Sequence, residues 1–239
     1  MYMIVVEKLI RNWRTNKNHM IKYKVSILYH TFVAQVGDRS SLYTDYMMGQ
    51  QLHDIPNIIP MYYNNNTILI MPWYRLGEIQ KYVWNRNNFP VLQNVIKHVC
   101  CSMLLAYQTI GFVHRDFHLG NILLRHSTKK EILYGDISVP VNTMLPVIMD
   151  FDKSGLLHNK ATSFMLYEDI IQFIGLLRTE LKEVVLDVSS IENILRTYET
   201  SKTPITSVVY RTICKNIDGI TIQYTLAERN EQFKKLFRK

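Results

Sequence analysis

Apolar and polar positions alternate in different rhythms along the chain, and the changes of rhythm mark its elements. Residues 2–10 and 20–29 are dense in β-branched and aromatic side chains and predict two strands, with the polar run RNWRTNKNH as the turn between them. Residues 40–52 (SSLYTDYMMGQQL) predict a helix opening on Ser40 as N-cap. The run IIPMYYNNNTILIMPWY reads as a hairpin turning at Asn64-Asn65-Asn66. From about residue 78 the pattern turns helical. Val95, Val99, Met103 and Tyr107 recur at helical spacing, and Gly111 stands where that helix would end. Strand-like runs return at Ile122–Leu124 and in LPVIMDF, and helical patterns dominate from residue 164 onward.

Composition narrows the class. With 47% hydrophobic and 20% charged residues the chain can bury a core and does not read as disordered. The net charge of +8 permits an anionic partner, but a solvated basic surface explains it as well, and no specific nucleic-acid binding is expected. Cys100, Cys101 and Cys214 form an odd set without metal-ligand spacing, which points to reduced packing residues in an intracellular protein. The start carries no signal-peptide pattern, and no window is expected to span a membrane. The tail residues Leu226, Phe233 and Phe237 fall near helical spacing and predict a final helix docked on the core.

The chemistry concentrates in GFVHRDFHLGNILLR, residues 111–125, where Asp116 is followed by Asn121. A later apolar strand ends in VIMDFD and presents Asp150. Two acids and an amide at strand edges suit magnesium-assisted phosphoryl transfer. One carboxylate orients or deprotonates the attacking hydroxyl, while the other carboxylate and the amide oxygen hold Mg²⁺, a hard cation that takes oxygen ligands.

These residues carry a resemblance. HRDFHLGN resembles the catalytic loop of eukaryotic-type protein kinases, and MDFD resembles their D-F-G motif. LIMPWYRLGEI is similar to the family's hinge. The resemblance implies Met71 as gatekeeper, Pro72 offering its carbonyl, Tyr74 supplying a backbone N–H to adenine, and Glu78 at the ribose. HDIPNII resembles the stretch after the regulatory helix, and Asp169 in YEDIIQFIGLL the buried acid that braces the catalytic loop. His114 and Arg115 would hold the loop's shape. The reduced form is similar to minimal kinases of large DNA viruses and bacterial effectors.

The departures from the pattern are concentrated in the N-terminal part. No glycine precedes Gly37, so a glycine-rich loop is missing, and the turn with Lys17 is a weak substitute. Aligning YKVSIL with V-A-I-K puts Ser26 at the lysine position; Lys24 and Lys22 share its face by strand alternation, and Lys24 is the expected phosphate contact. Asp45 is the only acid in the 40–52 helix. His118 stands where Ser/Thr kinases carry a phosphate-binding lysine. An inserted hairpin is expected to turn near Gly135-Asp136, no A-P-E follows Asp150, and Asp152 replaces the usual glycine.

The resemblance therefore implies an α+β, two-lobed protein-kinase-like fold, with a reduced β-rich N-lobe over 1–71, a hinge at 71–78 and a helical C-lobe over 72–239. It implies ATP and Mg²⁺ as cofactors and transfer to Ser/Thr hydroxyls of a protein substrate. Asp116, Asn121, Asp150 and His118 would be the catalytic set, with Asn121 and Asp150 on the metal. Two alternatives stay open: a non-catalytic kinase mimic that binds a host protein, and a small-molecule kinase of the aminoglycoside or choline type.

Overall fold

The computed structural model describes residues 5–14, 19–27, 30–64, 68–157, 164–181, 183–226 and 228. Lys17, Asn65, Asn66, Phe233 and Phe237 lie outside them.

The N-terminal half is one antiparallel sheet in the order β1-β2-β3-β5-β4. Its strands are β1 Val5–Arg14, β2 His19–Ile27, β3 His30–Val36, β4 Tyr63–Asn64 and β5 Ile68–Pro72. Two features differ from the sequence pattern. β1 runs through part of the expected polar turn to Arg14, and β3 was not expected at all. HTFVAQV is a short run between a strand and a helix, with Gln35 interrupting its apolar positions.

The helix α1, Arg39–Gln51, follows β3. Its N-cap is Asp38 rather than Ser40, because the Asp38 carboxylate accepts from the backbone N–H groups of Ser40 and Ser41. The segment after α1 docks on the C-terminal half: Ile59 N–H donates to Ile148 O at 2.9 Å and Ile148 N–H to Asn57 O at 2.7 Å.

The C-terminal half is built around α2, Phe89–Ile110, which starts later than the pattern suggested because residues 79–81 form only a short 3-10 turn. Twelve of its residues are buried, Met103 and both cysteines among them. Contrary to expectation, α2 is long and apolar enough to pass a length-and-hydropathy test for a membrane span. Its burial among the other elements is that of a core helix. Gly111 ends it at φ 74, a left-handed geometry suited to glycine; a Cβ there would also lie 2.4 Å from Leu157 O.

Short strand pairs surround α2. β6 (Phe112–Val113) pairs with β11 (Gly155–Leu156), and β7 (Ile122–His126) with β10 (Met144–Ile148). The expected inserted hairpin is β8 (Glu131–Tyr134) and β9 (Ile137–Pro140), turning at Gly135-Asp136. The helices α3 (Phe164–Glu180), α4 (Ser189–Ser201) and α5 (Ser207–Asp218) complete the lobe. A strand pair, β12 (Val184–Asp187) with β13 (Thr221–Thr225), interrupts the region where helical patterns dominate. The architecture is the α+β, kinase-like arrangement of a small sheet-rich region on a helical one.

Candidate active site

The loop between β6 and β7 is held from beneath. Asp169 of α3, only 4% exposed, accepts from His114 N–H at 2.7 Å and from Arg115 N–H at 2.9 Å. Burial pushes its carboxyl up to about 6, against the pull of those two donors. His114 is wholly buried, and its Nε2 donates to Met149 O at 3.1 Å. Its Nδ1 finds no partner, and burial lowers its pKa, so the ring is neutral and acts as a spacer. Phe112, Phe117 and Phe151 pack around it within about 6 Å, and Phe117 continues the contact to Phe173 of α3.

Two non-glycine residues in these loops hold positive φ: Arg115 at 63° and Asp150 at 72°. Such conformations cost energy and persist where surroundings enforce them, commonly at functional sites. At Arg115 the enforcing contacts are Asp169 and Gly155, where a Cβ would lie 2.9 Å from the guanidinium. The Arg115 side chain thus rests on the backbone of the short segment after Asp150.

The loops that carry the acids and the amide are tied to each other. Asn121 donates from Nδ2 to Asp116 O at 3.0 Å, and its backbone O accepts from Met149 N–H at 3.0 Å. That bond ties the loop to the strand end that presents Asp150. Among the described residues, the Asp150 carboxylate has no hydrogen bond or ion pair, and Asn121 Oδ1 is likewise left over. A carboxylate and an amide oxygen are the hard oxygen donors that Mg²⁺ takes. No three His, Cys, Asp or Glu side chains converge among the described residues, so a cation here would also draw on nucleotide phosphates and water.

Asp152 is anchored rather than free: Ser41 Oγ of α1 donates to its Oδ2 at 2.9 Å, and burial beside Asp150 raises its pKa. Asp45 accepts from Phe151 N–H at 2.8 Å. Helix α1 therefore grips the Asp150 loop at two points. His118 turns inward on its own loop: Nδ1 accepts from Gly120 N–H at 3.1 Å, and Nε2 lies 4.0 Å from Asp116 Oδ2. Lys153 comes closer, with Nζ 2.7 Å from Asp116 Oδ2. Sequence reasoning missed it, because a lysine after a loop acid carries no spacing signal.

A cavity of about 250 Å³ opens beside these loops. Val33 roofs it, Leu123 and Met149 floor it, and the hinge residues Met71, Pro72, Tyr74 and Glu78 form its edge. Glu78 is held by Lys81 at 2.5 Å and by Gln80 at 2.6 Å. A larger cavity of about 450 Å³ lies on the other side of the hinge, lined by Tyr74, Arg125 and Asn57 among others. Burial there pushes the Tyr74 hydroxyl up to about 12, and Arg125 pulls the other way. The smaller cavity takes in Met149, next to Asp150, and Leu123, two residues beyond Asn121, so it is the one beside the chemistry.

The strand order corrects the alignment of YKVSIL. The strand bonded to hinge strand β5 is β3, with Val33 opposite Met71. Protein kinases carry V-A-I-K on their β3. Here Phe32-Val33-Ala34-Gln35 takes that place, so Gln35, 1% exposed, stands at the lysine position. Lys24, half-buried, lies one strand further out, opposite Val33, and does not line the described cavity.

The ABC1 atypical kinase-like domain model matches residues 37–151, just under half of the chain. No curated protein matches it. Among solved structures, the Rio2 kinase–ADP/Mg²⁺–phosphoaspartate complex from Chaetomium thermophilum aligns at a TM-score of 0.53 and 11% identity, over 90% of this chain and 71% of that one. Rio2 kinase of the same organism in a second structure gives 0.47 at 11% identity, over 90% and 73%. Together with the strand order and the hinge, the first two matches make the chain protein-kinase-like in fold.

Proposed function

We propose that this protein-kinase-like chain transfers the γ-phosphoryl group of Mg-ATP to Ser or Thr hydroxyls of a protein partner in a reducing, intracellular compartment. The observation that supports the reading is the pair of bonds by which Asn121 ties its loop, at Asp116 O, to Met149 N–H, beside Asp150 and on the lining of the hinge cavity. Adenine would lie between Val33 and Leu123 against the hinge backbone; Pro72 lacks an N–H, but its carbonyl is intact. Asp116 would orient the acceptor hydroxyl and take its proton. Asn121 and Asp150 would hold the Mg²⁺, whose contribution when bound is to neutralise phosphate charge. Rio2, crystallised with ADP and Mg²⁺, supports the choice of cofactors through its similarity in fold.

A second reading is a nucleotide-binding module that captures a partner without transfer. Gln35 at the β3 lysine position favours it, since one cation for the phosphates is missing there. The deciding experiment is transfer of labelled phosphate from γ-labelled ATP with Mg²⁺, to the protein itself, a generic basic protein and small aminoglycoside or choline acceptors. Wild type is expected to label protein and Asp116→Asn to lose that label. Asp150→Asn is expected to abolish Mg²⁺-dependent ATP binding. Binding without transfer to any acceptor would overturn the kinase reading in favour of the module, and label on small molecules alone would change the acceptor class.

A further inference from the structure

We propose that Lys153 is the catalytic cation that meets the transferred phosphoryl group, in the role that the catalytic-loop position of His118 leaves open. The inference rests on the phosphoryl-transfer reading above.

Lys153 comes from the segment after Asp150, not from the catalytic loop, yet its Nζ lies 2.7 Å from Asp116 Oδ2. Its side chain is 61% exposed, so the ammonium reaches the carboxylate from the open side of the cleft. It also feels the charges of Asp150 and Asp152, which sets it among the three acids of the site. His118 approaches the same oxygen only to 4.0 Å, and Gly120 N–H occupies its Nδ1. A lysine stays charged through neutral pH, whereas an imidazole does so only in part.

The chemistry balances without a further reactant. The bond between the γ-phosphorus and the β–γ bridging oxygen breaks, and its electron pair leaves on ADP. The acceptor hydroxyl oxygen bonds to the γ-phosphorus, and its proton passes to Asp116. Lys153 Nζ and His118 Nε2 both approach Oδ2, so among the described residues Oδ1 remains to accept that proton. Lys153 would span Asp116 and an equatorial γ-phosphoryl oxygen, fixing the hydroxyl and the phosphorus in one geometry. The contact strengthens as charge builds on those oxygens, so its loss should fall on kcat more than on KM.

The test compares Lys153→Met, Lys153→Arg and His118→Ala with wild type, and Lys130→Met on the exposed end of the inserted hairpin serves as control. Lys153→Met is expected to lower kcat about 100-fold, with KM for ATP moving less than about tenfold. Arginine at the position should recover most of the loss, and the fall in kcat rather than KM is what a purely structural role would not predict. Kinetics within about threefold of wild type in Lys153→Met, or a larger loss in His118→Ala, would overturn the assignment.

A binding arm separates this proposal from the reading beneath it. The non-transferable analogue adenylyl imidodiphosphate and ADP are titrated calorimetrically with Mg²⁺. Lys153→Met should weaken the analogue about tenfold and leave ADP within about threefold. If wild type transfers phosphate and Lys153→Met does so equally, the assignment falls and the kinase stands. If wild type transfers nothing, the kinase reading falls, and selective loss of the analogue still supports Lys153 at the γ-phosphate. Equal loss of both ligands, or no nucleotide binding at all, overturns Lys153.

Discussion

The Asp45 carboxylate accepts a 2.8 Å hydrogen bond from the backbone N–H of Phe151, and both residues are buried. One bond thus fixes helix α1 and the Asp150 loop in a common position, and Ser41–Asp152 adds a second tie at the surface end. Asp45→Ala would leave a buried N–H without a partner. The expected cost is about 1–3 kcal/mol by denaturant unfolding. Asp45→Asn keeps a carbonyl acceptor and should lose less. Equal loss in the two variants would mean that charge, not this hydrogen bond, sets the position.

Asp169 gives a pH signature. Burial raises its carboxyl from 3.8 to about 6. Between those values the folded protein keeps a proton that the unfolded chain has released, so stability falls as pH rises through the window and is level above it. The shift corresponds to about 3 kcal/mol. Asp169→Asn removes the group, so wild-type stability relative to that variant should decline by about this amount from about pH 4 to 7. A difference that stays flat or grows with pH would show that the two backbone donors outweigh burial.

The inserted hairpin is bolted into the core through Tyr134. Its hydroxyl bonds His98 Nδ1 at 2.7 Å and accepts from Asn57 Nδ2 at 2.6 Å, while His98 Nε2 donates to Pro140 O at 3.0 Å. Burial lowers His98 to about 4, so the ring is neutral at ordinary pH and its Nδ1 needs a donor. Tyr134→Phe removes that donor and should cost about 1–3 kcal/mol in thermal or chemical unfolding. A loss below about 0.5 kcal/mol would mean that the hairpin's packing, not its hydroxyl, holds it.

How much could be read from the chain depended on how locally each element is written. The helix before the catalytic loop shows its own period and its own stop at Gly111, and the hinge and both loop acids sit in short, contiguous motifs. β3 is different. Its identity lies in which strand bonds to β5, a long-range pairing that seven residues of mixed polarity do not announce. The misplaced V-A-I-K alignment followed from that one omission. Lys153 was hidden for a related reason, since its contact with Asp116 exists only once two separate loops have folded together. β12 and β13 are four- and five-residue strands that meet only across α4 and α5.

The register of β2 against β3 bears on the missing phosphate lysine. Residue 24 pairs with Val33, which roofs the hinge cavity, whereas residue 22 pairs with Gln35. The β3 lysine position is where kinases meet the phosphates. A replacement cation is therefore wanted beside Gln35, at the depth of residue 22. Nearness to Ser26 in the sequence alignment ranked Lys24 first; the register reverses that order. Lys22→Met should weaken ATP about tenfold, and Lys24→Met by less than about threefold, with adenosine binding unaffected by the first change. The opposite ranking would return the phosphate contact to Lys24. Two negligible effects would remove β2 from the site and leave the phosphate contact to Lys153.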